Sequence, residues 1–148
     1  MVDYSYQKKF EGTARAYAKE LNISPKHAVE VCRAIRGKPL EKAKEYLQDV
    51  VDGKKAVPFR RYTSQVCHKR GAGPARYPKK ACQKILKLLE DVSANAVYQG
   101  FNPENMKIIH IASYMGRTYQ AYFPRARGSS SPKQRQTTNI EVVVKEMS

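Results

Sequence analysis

Met106 to Glu146 reads MKIIHIASYMGRTYQAYFPRARGSSSPKQRQTTNIEVVVKE, and how this stretch folds decides the architecture. Its first ten residues, MKIIHIASYM, are rich in Ile with apolar side chains on both faces, which predicts a strand. IEVVVK, from Ile140 to Lys145, predicts a second. Between them GRTYQAYFPRARGSSSPKQRQTTN is polar and basic, with a Pro-Arg-Ala-Arg-Gly-Ser run at its centre that has the composition of a turn. If the strands pair, the insert is a long hairpin arm. Ten to twelve residues a side at about 3.3 Å each reach on the order of 35 Å. A lone two-stranded ribbon is marginal in water, and this one has little apolar surface of its own, so it needs a partner to lie against.

Working outward, Pro78 opens the strongest helical pattern. Ala81, Cys82, Ile85, Leu89, Val92, Ala96 and Val97 form its apolar stripe, widened by Leu86 and Leu88, and Gly100 stops it. Ser24-Pro25 predicts an earlier helix, the Ser hydroxyl capping and Pro at the first helical position, with Ala28, Val31, Cys32 and Ile35 on one face and Gly37 as the stop. Pro39 opens a third, with Leu40, Ala43, Leu47, Val50 and Val51 inward and Gly53 at its end. TARAYAKEL, from Thr13 to Leu21, stays open between helix and strand. From Gly53 to Tyr77 the density of Gly, Pro and charge predicts a long basic loop, a feature usually functional or disordered.

The chain has 148 residues, 28 Lys plus Arg, 13 Asp plus Glu and a formal charge of +15. The excess is concentrated. Gly53 to Leu89 carries eleven basic residues and Asn105 to Ile140 six, and neither stretch has an acidic one. Such segments suit a polyanion, whose phosphates neutralise the charge and release counterions. An amphipathic membrane-binding helix would set exposed Phe, Leu or Trp beside the lysines. Here Tyr62, Tyr77, Tyr119, Tyr122 and Phe123 are interleaved with charge, Pro and Gly, which favours nucleic acid with bases stacked on rings.

No run approaches the ~18 apolar residues of a membrane span, and the start lacks the apolar stretch of a secretory signal. Three cysteines without paired spacing argue against a disulfide framework. Together these suggest one soluble, cytoplasmic domain over 1–148, with a body at about 10–115 and 138–147, the loop at about 53–77 and the arm at about 115–140. Cys67, His68 and Cys82 do not make a four-ligand zinc set. GAGP at Gly71 to Pro74 lacks a phosphate-loop context and reads as flexible loop. His27, His68 and His110 have no companion nucleophile, so no enzyme, metal or cofactor is expected.

Particular strings go further. ISPKHA (23–28), AIRGK (34–38), VPFRRY (57–62), RYPKKA (76–81), SANA (93–96), PRARG (124–128) and IEVVVKE (140–146) resemble, in order, the L-twenty-two family of large-ribosomal-subunit proteins, called L-seventeen in eukaryotes. VPFRRY and RYPKK resemble its archaeal and eukaryotic branch. The resemblance implies an α+β fold: a three-stranded antiparallel sheet on three helices, TARAYAKEL as a strand, and an extended β-hairpin. It further implies a structural protein that binds several domains of large-subunit rRNA, assists early assembly, touches neighbouring ribosomal proteins and does not self-associate. The tip, Pro124, Arg125, Ala126, Arg127 and Gly128, would line the nascent-polypeptide exit tunnel.

Expected RNA contacts in the body are Lys54, Lys55, Arg60, Arg61, Tyr62, Lys69, Arg70, Arg76, Tyr77, Lys79 and Lys80. On the arm Arg117, Arg125, Arg127, Lys133 and Arg135 would meet phosphates, and Tyr119, Tyr122 and Phe123 would stack or wedge. The runner-up is a double-stranded DNA architectural protein with the arm in a minor groove.

Overall fold

The computed structural model describes residues 4–6 and 12–147. Strand β1 (Thr13–Leu21) is followed by helices α1 (Pro25–Ile35) and α2 (Leu40–Val51). Short strands β2 (Val57–Pro58), β3 (His68–Lys69) and β4 (Gly73–Arg76) precede α3 (Lys79–Tyr98), and long strands β5 (Met106–Pro124) and β6 (Ser130–Glu146) end the chain. The main sheet is antiparallel in the order β1-β6-β5. TARAYAKEL is therefore a strand, with Ala14 and Ala16 facing the core. Its alternation with Ala at the buried positions resembles a helix-former's composition, and pairing with the Val-rich β6 decides the matter.

The three helices bury their predicted stripes against one face of this sheet. Ala28, Val31, Cys32 and Ile35 of α1, Leu40, Ala43, Leu47 and Val50 of α2, and Ile85, Leu88, Leu89 and Val92 of α3 share one cluster with Ile108, Ile111, Ile140, Val142 and Val144. Val97, predicted to be in the stripe, is instead exposed in the last turn of α3, where its neighbour Ala96 takes the buried position. Pro25 takes the first helical position, but the Ser24 hydroxyl makes no capping bond; only its carbonyl accepts, from Ala28 N–H at 3.0 Å. Gly37, at φ +77°, turns the chain so that its amide donates to Ile108 O at 3.0 Å while Ile108 N–H donates to Lys38 O at 3.0 Å. The α1–α2 turn thus covers part of the open edge of β5.

The region predicted as an irregular loop contains a second sheet of order β2-β4-β3. Its strands run two to four residues, too short for periodicity to show. Val57, Phe59 and Ala75 are buried, and Phe59 N–H donates to Pro74 O at 2.8 Å. GAGP is accordingly a tight turn entering β4, with Ala72 N–H donating to Lys69 O at 3.1 Å.

On the outer face of the main sheet residues 4–6 reach across the strands, with Tyr4 edge-on to Tyr17 of β1 at 6.2 Å. Ser5 N–H donates to Glu141 Oε2 at 3.0 Å, and Tyr6 stacks on His110 with centroids 5.2 Å apart. Beyond the body β5 and β6 continue as a two-stranded ribbon, paired out to Pro124 and Ser130.

Candidate nucleic-acid interface

The basic segment after α2 is anchored by a carboxylate. Glu30 is fully buried in α1, and its Oε1 accepts the amides of Arg61 at 2.7 Å and Tyr62 at 3.0 Å. Burial opposes ionisation, but the amides of Arg61, Tyr62 and Arg60 outweigh it, with help from the Arg33 charge, and hold the carboxyl below its usual range. One buried acid thereby fixes the backbone that presents Arg60, Arg61 and Tyr62.

Those side chains form clusters. Lys26 Nζ stands 5.7 Å from the Tyr62 ring centroid and the Arg61 guanidinium 5.6 Å from it. Arg76 stands 5.9 Å from the Phe59 ring, on which His27 packs edge-on at 5.5 Å. These residues line a cleft of about 410 Å³. Burial, reinforced by Arg76, pushes the His27 pKa down.

A neighbouring cleft of about 580 Å³ also touches His27 and brings Lys79 and Lys80 at the start of α3 together with Arg135 of the arm. Residues far apart in sequence therefore share one opening.

A third opening, about 400 Å³, gathers Lys54, Lys55, Lys69, Arg70 and Tyr77. Lys54 and Lys55 are paired with Asp52 at 3.3 Å and Asp49 at 2.7 Å. Lys69 lies 5.8 Å from the Tyr77 ring centroid. Arg60 lines a separate recess with Glu30, Arg33 and Lys38.

The predicted body residues thus occupy several adjoining openings rather than one site. Lys26, Arg33 and Lys38 join them without having been expected. Lys26, Glu30 and Arg33 fall at i, i+4 and i+7 on α1, a polar stripe beside the apolar one that could have marked them.

The arm's register sorts its side chains, because residues opposite one another in an antiparallel pair share a face. Tyr119 opposes Arg135, Ala121 opposes Lys133 and Phe123 opposes Ser131. Arg117 stands 5.6 Å from the Tyr119 ring, and Lys133 Nζ 4.3 Å from the Phe123 ring. The other face pairs Thr118 with Gln136, Gln120 with Gln134 and Tyr122 with Pro132, and carries no charge. Tyr122, grouped by sequence with Tyr119 and Phe123, therefore points away from them.

At the tip a short 3-10 turn spans Ala126–Gly128, with Arg127 left-handed at φ 58° and Gly128 at φ 71°. Arg125 N–H donates to Ser129 O at 2.8 Å, and its Nε to Ser131 Oγ at 3.1 Å. Among the described residues none of the arm's cations is within 4.0 Å of an acidic group.

A family model described as ribosomal protein L22p/L17e matches residues 16–145. The chain belongs to this family. A large ribosomal subunit protein uL22 from Methanoculleus marisnigri is 49% identical over 147 residues, covering 97% of this chain and 96% of the relative. Those of Methanopyrus kandleri and Archaeoglobus fulgidus are 46% and 44% identical, covering 92% and 96% of this chain and 88% and 94% of the relatives. The chain is thus an archaeal-type L22p/L17e protein, of a family named as ribosomal proteins and not as enzymes. No helix among the described residues is long and apolar enough to cross a membrane.

Proposed function

We propose that this L22p/L17e protein is a structural component of the large subunit of the cytoplasmic ribosome, where it binds large-subunit rRNA. The observation that carries the reading is the exposed arm: a paired ribbon with five cations, no acidic residue from Gly116 to Asn139, and no hydrophobic core of its own. Such a ribbon suits a surface lined with phosphates, where neutralisation and counterion release supply the affinity.

The openings of the body would meet different RNA segments from those met by the arm, so the protein would bridge several rRNA domains and assist early assembly. Arg125 and Arg127 lie at the end of the ribbon, and the tip Pro124 to Gly128 would form part of the tunnel wall passed by the nascent polypeptide. Its partners are rRNA and neighbouring ribosomal proteins, with no membrane, metal or second copy of the chain required.

Sedimentation of a native lysate through a high-salt sucrose gradient tests this. Comigration with the large subunit after the salt wash is expected. Release to the soluble fractions, or migration with chromosomal DNA, would sink the reading in favour of a DNA architectural role.

A further inference from the structure

The side-chain alternation of β5 separates three aromatic rings that the sequence sets close together. Tyr119 and Phe123 stand on one face, 45% and 46% exposed, four residues apart on β5, or about 13 Å along an extended strand. Each has a cation against its ring, Arg117 at 5.6 Å and Lys133 at 4.3 Å, and Arg135 lies opposite Tyr119. Tyr122, 67% exposed, stands on the opposite face among Thr118, Gln120, Gln134 and Gln136, and opposite Pro132.

We infer that the arm holds unpaired RNA nucleotides on the Arg117–Tyr119–Phe123–Lys133–Arg135 face alone, with Tyr119 and Phe123 as two stacking platforms, and that the Tyr122 face makes no RNA contact. This rests on the proposed RNA binding and specifies how the arm achieves it.

The physical case is charge and reach. Each cation lies over one side of its ring, so a base stacked on the other side carries its phosphate a short distance from a charge that can turn to receive it. Both platforms on this face meet that condition. The opposite face offers amides, hydroxyls and a ring but no cation, so phosphates drawn close to it would lose water with no charge to compensate them. Duplex RNA hides its bases, which leaves unpaired nucleotides as the occupants two exposed rings suit.

The test uses the full chain and in vitro transcribed large-subunit rRNA of Archaeoglobus fulgidus, with filter binding across a salt series. Thermal melts establish that each exposed-site variant is folded. Tyr119→Ala and Phe123→Ala are each expected to weaken binding by roughly five- to 150-fold, with the salt slope unchanged. Tyr122→Ala should stay within about twofold of the parent. Lys133→Ala should lower the slope by about 0.7 to 0.9.

Tyr122→Ala weakening binding as much as Tyr119→Ala would overturn the one-face assignment. So would unchanged affinity in both Tyr119→Ala and Phe123→Ala while Arg61→Ala still weakens it, an outcome that leaves RNA binding by the body intact. If the parent chain does not prefer this rRNA to duplex DNA at equal salt, the RNA reading itself fails.

Discussion

Gly116 lies so close to Thr137 that a Cβ on the glycine would collide with the threonine hydroxyl oxygen and stand 3.1 Å from Asn139 Oδ1. The two residues form the bulge where the arm leaves the body: Met115 opposes Thr138, Thr118 opposes Gln136, and Gly116 and Arg117 together face Thr137. Thr137 Oγ1 donates to Arg117 O at 3.0 Å and locks the extra residue in place. Such a bulge raises the local twist and sets the direction in which a ribbon departs. Just below it the Thr138 hydroxyl donates to Ile23 O at 2.9 Å, tying the arm's root to the entry of α1.

Gly116→Ala should therefore destabilise the protein by about 1–3 kcal/mol, the usual cost of overpacking. Thr137→Ala in the same chain should recover part of the loss by removing the colliding hydroxyl. Chemical denaturation of the two variants, with amide exchange at Arg117 and Thr118, checks both statements. Full stability in Gly116→Ala would show that the bulge relaxes freely.

Acid should loosen the basic segment. The Glu30 carboxyl has its pKa lowered in the folded chain, so its contribution is present above its unfolded pKa and lost as pH falls through the folded one. The window lies below about pH 4.5, the ordinary value. Glu30→Ala should cost about 1–3 kcal/mol at pH 7, because two part-buried amides lose their acceptor, and the deficit should shrink in acid. Denaturation midpoints of parent and variant from pH 7 to pH 3 measure it; a pH-independent deficit would contradict the ionised-acceptor role.

A second buried carboxylate clasps residues 4–6. Glu141 Oε1 accepts the Tyr114 hydroxyl at 2.5 Å and the Ser5 hydroxyl, and lies 2.7 Å from His110 Nε2. Burial opposes its ionisation, and the Ser5 and Tyr114 donors outweigh it, lowering the pKa. Tyr114→Phe should cost about 1–3 kcal/mol. It should also raise amide exchange at Ser5, and unchanged exchange there would show that residues 4–6 are held without the clasp.

The three thiols should react unequally. Cys32 and Cys82 are buried, and burial pushes each pKa up to about 12, whereas Cys67 is exposed. Dithionitrobenzoate at pH 8 should titrate one thiol rapidly in the native protein and two more only after denaturation. Rapid reaction of two or three would mean that the α1 and α3 stripes open readily.

Arg125→Ala with Arg127→Ala should lower the salt slope of rRNA binding by about 0.7 to 0.9 for each phosphate no longer neutralised. A slope equal to the parent's would show that neither arginine meets a phosphate and leave the tip to its turn geometry.

The sequence by itself determined the elements whose signal is local. The apolar stripes of α1, α2 and α3 follow from 3.6-residue spacing, their ends from Pro39, Pro78, Gly37, Gly53 and Gly100, and the arm from an apolar strand on either side of a polar, acid-free insert. The family motifs were legible too, because they are strings. What depends on partners far along the chain was not. Whether Thr13–Leu21 forms a strand depends on β6, more than a hundred residues away. The small sheet of β2, β3 and β4 is too short to have a period, and Glu30 reads as a surface acid until Arg61 and Tyr62 bring their amides to it. The two faces of the arm are the clearest case. Side-chain alternation has a period of two, so each extra residue, at Ile109 and again at the Gly116 bulge, shifts every later residue of β5 relative to β6. Alternation along β5 separates Tyr122 from Tyr119 and Phe123, but only the cross-strand register put Lys133 and Arg135 on the face of those two rings and Gln134 and Gln136 on that of Tyr122.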